Sequence, residues 1–452
     1  MLIKLCVSNF LSFRDEVEFT ALASLERQHS ARIFRHSKLG FSVLPTAALW
    51  GGNGAGKSNL YCALRFARHF ILRGSTRIED VIAVEPFRLD REYLKKPSTF
   101  RFDVLIKDQV YRYCFAVTSQ QVLSESLEEV NDEKTKLVFR REQGEWNLEY
   151  FDRCKLPEKE RDFIQFKARD TLRNQLFLSS VRGRDLPILE EIGDWFSSKL
   201  ALLDPHCDFR PIEISLQDVE AFQKYCVKAL QRAGTGIDLI KNEKVSLDSI
   251  SMPPGMRDSL KKQLEQAKDD TAMMIKGPDR MRFLAIREKG ETKALQLVTF
   301  HKDRDGKQVR FEMPDESEGT ERLIDLLPAF FELSSAESDK VFFIDELDRS
   351  LHTHLTRGLI ESFLKTRSNS SRAQLLFTTH DPLLLDQELL RRDEIWFIDK
   401  DENGQSSLNS LSDFKGVRYD KDIRKSYLQG RFGGVSAMQP LPRRDEAVLV
   451  KS

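Results

Sequence analysis

The chain has 452 residues, 40% of them hydrophobic, which is enough for one large core or two domains. Lysine plus arginine number 71, as do aspartate plus glutamate, so the formal net charge is zero and the global basic footprint of a protein that coats nucleic acid is missing. No apolar run reaches the roughly 18 residues of a bilayer-spanning helix, the opening MLIKLCVSNF is too short and polar for a secretory signal, and the cysteines (Cys6, Cys62, Cys114, Cys154, Cys207, Cys226) form no C-x-x-C pair. A transporter half with its own membrane domain is therefore not expected; a cytoplasmic protein with reduced thiols is.

The first segment, 1–150, reads as strand-rich. LIKLCVSNF and EVEFTAL alternate like a hairpin, and AALW at 47–50 is a short apolar strand bounded by Pro45. The helix NLYCALRFARHFIL follows, with Leu60, Leu64, Ala67, Phe70 and Ile71 at helical spacing. STFRFDVLI, QVYRYCFAV and LVFRREQGEWNLEYF continue the strands. The next segment, 151–280, shows three-to-four spacing in EKERDFIQFKARDTLRNQLFLSSV, LPILEEIGDWFSSKLALL and LQDVEAFQKYCVKALQRAG, which predicts a helical insertion. None of these runs sustains a heptad seam, so no long coiled coil is expected. From 281 to 452 strands return, with Asp305-Gly306 as a hairpin turn, and then helix and buried strand alternate: TERLIDLLPAFFEL, KVFFIDE, LHTHLTRGLIESFLK, AQLLFTTH, DEIWFIDK. That alternation predicts an α/β core with a parallel sheet.

Between AALW and its helix lies GGNGAGKSN, which fits the phosphate-loop pattern G-x-x-x-x-G-K-[ST] at Gly51, Gly56, Lys57 and Ser58. By chance these four positions coincide in roughly one or two of a hundred chains of this length; a strand before and a helix after make chance a poor explanation. Backbone N–H groups of the loop, with Asn53, Gly54 and Asn59 beside the fixed positions, would cradle phosphate. Lys57 would reach the β- and γ-phosphates of ATP, and the Ser58 hydroxyl would ligate Mg²⁺.

A second set of polar residues sits in the last third. Val341–Ile344 is an apolar strand that ends in Asp345 and Glu346. Alone it describes a strand running into an acidic turn. After a phosphate loop it describes a carboxylate in the Mg²⁺ shell, Asp345, and one that orients the attacking water, Glu346. LLFTTH ends in His380, placed to sense the γ-phosphate. Ser317 caps a helix whose start exposes the backbone at Gly319. That is a second phosphate-ready site in a chain with one phosphate loop, which two chains head to tail could combine.

In this order, the phosphate loop, the S-x-G helix start, the hydrophobic strand with Asp-Glu and the strand-end histidine resemble the ABC-type ATPase head of transporters and of SMC or Rad-type repair proteins. VSNFLSFRDEVEF resembles the first strands of SMC-like heads. PFRLDREYLKKPSTFRFDVLI, FLSSVRGRDLPILEEIGDWF and DFKGVRYDKDIRKSYLQGRFGGV resemble, more narrowly, the small ABC-like ATPases of bacterial abortive-infection and anti-phage operons, relatives of the overcoming-lysogenization-defect family. The resemblance implies a homodimer, or a larger assembly of such dimers, that uses ATP and Mg²⁺ and serves a separate effector such as a nuclease or toxin. The sequence departs from the transporter pattern: Glu316-Ser317-Glu318-Gly319-Thr320 stands for L-S-G-G-Q, and His352 occupies the D-loop aspartate position. Arg14 is a candidate for contact with base or ribose.

Two other functions compete. A nuclease would need metal-binding carboxylates, for which Glu394, Asp399, Asp401 and Glu402 are candidates, although a strand ending in an Asp-Glu-Asn-Gly turn explains them as well. An SMC-like DNA-repair clamp would need the missing coiled coil. Lys415, Arg418, Lys421, Arg424, Lys425 and Arg431 make a local basic stretch that could meet nucleic acid or an acidic partner, or form a solvated helix.

Overall fold

The computed structural model describes residues 1–131, 135–154, 156–184, 186–205, 209, 211–218, 220–247, 250, 254–266, 271–276, 281–288, 290–416 and 422–434. The chain divides into two compact units. One contains Met1–Ser30, Arg35–Ser197 and the chain from Leu376 onward; the other contains Ala31–Phe34 and Ser198–Leu375.

The first unit carries a seven-stranded antiparallel sheet among its described residues. The N-terminal strand Leu2–Ser8 lies between Val17–Thr20 and Ser98–Ile106, and hairpins carry the sheet on through Gln109–Val117, Val122–Val130, Thr135–Glu142 and Glu145–Asn147. The helix Lys57–Arg73 lays Phe66 and Phe70 on this sheet. Phe66 sits 5.2 Å from Phe100 and 5.7 Å from Phe10, and Phe70 lies 6.2 Å from Phe115. Such offset and tilted ring pairs fill a core efficiently, which accounts for much of the phenylalanine in this half of the sequence. The same unit holds the strand Thr46–Trp50, fully buried as its unbroken apolar run requires. It pairs in parallel with Ile395–Lys400, whose other edge pairs antiparallel with Ser406–Ser410.

The second unit has an antiparallel sheet in which Glu291–Lys302 pairs with Ile237–Val245, Arg282–Glu288 and Gln308–Glu312. The Asp305-Gly306 turn closes the last of these hairpins as expected: the Asp303 amide donates to Lys307 O, and Gly306 takes up φ +77. The helices Glu220–Arg232 and Glu318–Ser334 bury Phe222, Cys226, Leu230, Leu323, Ile324 and Leu327 in one cluster with that sheet. Val341–Ile344 is a buried strand in parallel with Leu200–Leu203.

The observed fold is the expected α/β architecture of antiparallel N-terminal sheet and parallel core, and the described residues contain no long coiled coil. The segment 151–280 is not purely helical. Leu200–Leu203, Ile237–Val245 and Ala272–Lys276 are strands. Four apolar residues in a row, as in Leu200–Leu203, carry no period that separates helix from strand, and the parallel partner decides. In LPILEEIGDWFSSKLALL the α-helix ends at Asp194, one π turn covers Trp195–Lys199, and the strand begins at Leu200.

Candidate nucleotide site

The first unit builds the phosphate loop from the end of Thr46–Trp50. Gly56 caps the helix Lys57–Arg73 at φ +111, and a Cβ there would fall 2.5 Å from Ser406 Oγ and 2.8 Å from Ser12 Oγ, so neither the backbone nor the space admits a side chain. No side chain caps this helix; in its first turn the Asn59 N–H donates to Gly56 O at 3.0 Å, and the helix start points positive potential at the loop. Asn53 and Gly54 are exposed on the crest of the loop. Ser58 is half-buried, and its hydroxyl has no hydrogen-bond partner among the described residues.

Lys57 is 5% exposed. Its ammonium donates to Gly51 O at 2.7 Å and Gly52 O at 3.1 Å, and it meets His380 Nδ1 at 3.2 Å. An ammonium can only donate, so in this contact Nδ1 is the lone-pair nitrogen and the imidazole proton sits on Nε2. Two bonds aim His380 at the loop: Thr379 N donates to Leu49 O at 3.0 Å, and the buried Trp50 indole donates to Asp381 O at 3.0 Å. Lys57 and His380, read as separate motifs in the sequence, form one group.

The sequence does not point to the residues that brace the loop from behind. Ser406 Oγ donates to Ala55 O at 2.6 Å and lies 2.7 Å from Ser12 Oγ, and the Asn59 amide donates to Ser12 Oγ at 2.6 Å. Asn59, expected at the nucleotide, thus bonds the loop's support and also lines the cavity beside it. Isolated serines in unrelated segments carry no spacing signal by which they could be found. A cavity of about 260 Å³ opens beside Ser12 and Asn59, with Phe87, Arg88 and Lys400 also on its walls. Arg14 is held by Asp15, Nη2 to Oδ2 at 3.0 Å, and Asp15 also accepts from Tyr93 Oη at 2.9 Å; these bonds draw the Asp15 carboxyl down to about 2.

The second unit holds the other set. Asp345 is buried at the end of Val341–Ile344, and its N–H donates to Leu203 O at 2.8 Å. Glu346 follows at φ +49, a left-handed conformation that costs a residue other than glycine on the order of 1–3 kcal/mol. Ser317 caps Glu318–Ser334, its hydroxyl accepting from Thr320 N at 3.1 Å. Gly319 packs so closely on the turn after Glu346 that a Cβ would lie 2.7 Å from Ser350 O. Glu316 is buried and accepts from Thr299 Oγ1 at 2.5 Å and from His301 Nε2 at 2.8 Å, which ties the start of this helix to the sheet. His352 caps Thr353–Lys365.

Three of the four acidic candidates for a nuclease accept local backbone hydrogen bonds. Glu394 is buried and accepts from Arg391 N at 2.9 Å, and Asp401 accepts from Asn403 N and Gln405 N in its own turn, at 3.0 and 2.8 Å. Asp399 Oδ1 accepts from Lys400 N at 3.0 Å. Glu402 is exposed on the same turn. Among the described residues no three histidines, cysteines or carboxylates gather as a metal cluster. In the basic stretch Lys415, Arg424, Lys425 and Arg431 are exposed, while Arg418 and Lys421 lie outside the described residues, as does Cys207. The aromatics beside them are core: Phe397 stacks on Tyr427 at 5.4 Å and on Phe432 at 5.1 Å.

The model of the family described as "AAA domain, putative AbiEii toxin, Type IV TA system" matches residues 47–386, from the strand before the phosphate loop to just past His380. The chain belongs to this family. The AAA-domain match covers the phosphate loop, the helix capped by Ser317, the Asp345-Glu346 strand end and His380. No curated protein matches the sequence. Among solved structures, the SMC head bound to the C-winged helix domain of ScpA is similar over 91% of this chain and 99% of that one, at 14% identity and a TM-score of 0.38, too loose to support an inference. No helix among the described residues of this AAA-domain protein is long and apolar enough to cross a membrane.

Proposed function

We propose that the chain binds ATP with Mg²⁺ and hydrolyses it slowly, as a dimeric switch that controls a separate effector in a bacterial anti-phage system. The observation that carries the nucleotide reading is the buried Lys57 ammonium held jointly by the phosphate loop and His380. A lysine so placed serves phosphate, and its histidine partner stands at the same end of the loop, in reach of a phosphate oxygen.

The loop N–H groups and Lys57 hold the triphosphate. Ser58 and Asp345 are hard oxygen donors, few in number, which suits a Mg²⁺ ion that keeps most of its shell as water and phosphate; when bound, the ion neutralises charge on the phosphate oxygens. Glu346 orients the attacking water. The cavity beside Ser12 and Asn59 takes the adenosine end. Ser317 and Gly319 of a second chain complete each site.

The effector reading is supported by the resemblance to abortive-infection ATPases and by the toxin–antitoxin wording of the family's description. Zero net charge and the engaged carboxylates favour it over direct action on nucleic acid. The test is the pure protein with ATP and Mg²⁺: turnover that Glu346→Gln removes while ATP binding remains, and DNA and RNA left intact. Cleavage that disappears in an Asp399→Ala/Asp401→Ala variant would establish the nuclease instead.

A further inference from the structure

The second unit carries an apolar groove of about 540 Å³ that ATP chemistry does not use. Its walls are the helices Glu220–Arg232 and Thr353–Lys365, and its floor is Leu323 and Phe330 of Glu318–Ser334. Tyr225, Ala229 and Ala233 face it from one side, Leu355 and Leu359 from the other. These five are only partly buried by their own core. On the first wall they recur every four residues over about two turns, roughly 12 Å at 1.5 Å per residue, and on the second Leu355 and Leu359 stand one turn apart. Between Leu355 and Leu359 stands Gly358, where an added Cβ would meet nothing within 4 Å.

The rim is cationic. Lys228 and Arg232 line the groove with His352 and His354, and no carboxylate lines it among the described residues. Cations on the same helices but off the groove are paired locally, Lys224 with Glu220 at 2.6 Å and Arg357 with Glu361 at 2.8 Å. Lys228 and Arg232 have no ion-pair partner among the described residues.

We infer that this groove docks an acidic amphipathic helix of a partner protein. Two turns of apolar wall fit a helix that presents side chains at i, i+3, i+4 and i+7, the open site at Gly358 admits one of them, and the unpaired cations meet flanking carboxylates. A second copy of this chain is the poorer occupant, because a twofold contact would set Lys228 and Arg232 against themselves. The floor belongs to the helix capped by Ser317, and His352 caps one wall, so an occupant touches elements placed for the second chain's nucleotide. That last link rests on the proposed ATPase reading; the docking itself does not.

The experiment uses the full chain without nucleotide, so that its failure is separate from failure of the ATPase. The probe is a fluorescein-labelled helical peptide with leucines spaced three and four apart and glutamates elsewhere, alongside a copy with lysine for glutamate. Anisotropy should show the acidic peptide binding in the micromolar range and the basic one at least about tenfold more weakly. Gly358→Leu fills the groove at a position where leucine also favours the helix, and it should abolish binding without unfolding the protein. Lys228→Glu/Arg232→Glu should invert the preference. Equal binding of both peptides, indifference to Gly358→Leu, displacement by octanoate in place of peptide binding, or a nucleotide-free dimer broken by Gly358→Leu would each overturn the proposal.

Discussion

Lys57 Nζ lies 3.2 Å from His380 Nδ1, although 323 positions separate the two residues in the chain. The contact predicts a division of labour. Lys57→Ala removes the charge that meets phosphate, and ATP binding should be lost in a calorimetric titration. His380→Ala leaves the loop and its lysine in place, so ATP should still bind within about threefold, while turnover falls by about 10- to 1000-fold, the range for loss of one preorganised donor. Equal loss of binding in both variants would sink the assignment of His380 to the reacting end.

The braces behind the loop predict a cost without a contact to nucleotide. In Ser406→Val the Ala55 carbonyl and Ser12 lose a buried partner. A hydrogen-bonding group left unsatisfied costs about 1–3 kcal/mol. ATP affinity should drop by about 5- to 100-fold, with thermal stability of the ATP-free protein lowered by a few degrees. Ser406→Thr keeps the hydroxyl and should recover most of the affinity, which separates the bond from mere packing.

The proposed sharing of ATP between two chains predicts complementation. Lys57→Ala and Ser317→Arg chains are each expected to be dead alone. Mixed in equal amounts, about half the dimers pair unlike chains and one of their two sites is intact, so turnover should return to about a quarter of wild type. No recovery on mixing would point to sites built within one chain.

Gly319→Ala should be more damaging than its size implies. The new Cβ would lie 2.7 Å from the Ser350 carbonyl, closer than real contacts come, and neither atom belongs to a flexible side chain. The helix start must shift, and with it Ser317. ATP binding to Lys57 and the loop should persist while turnover falls at least about tenfold; unchanged turnover would show that this helix end is not part of the site.

Thiol chemistry offers a check on the fold itself. Burial pushes the Cys114 thiol up to about 11 and Cys6 up to about 12, and it raises Cys226 further. The thiolate is the reactive form, so at pH 8 only about one Cys114 in a thousand is reactive. Iodoacetamide labelling followed by peptide mapping should modify Cys62 and Cys154, both half-buried, well before these three, and Cys114 should gain reactivity only as pH approaches 11.

The local motifs were legible in the sequence because they are set by spacing within a few residues: the phosphate loop, the Ser317 cap, the strand that ends at Asp345. What supports them was not. Ser12 lies 47 residues from Asn59, and Ser406 lies 351 from Ala55, and a lone serine has no period to betray it. The strand character of Leu200–Leu203 was equally hidden, since a partner strand distant in sequence imposes it, and no local residue pattern marks the left-handed backbone of Glu346.

The strand Thr46–Trp50 has its parallel neighbour, Ile395–Lys400, near the far end of the chain. A ribosome therefore emits the complete phosphate loop long before the strand that pairs with it. Closing so long a loop makes this step slow relative to the hairpins of the N-terminal sheet, which form from neighbours in sequence. Competence to hold ATP is thus expected late, and fragments that end before Ile395 are expected to lack it. The switch proposed above, built this way, would not be half-made and half-active.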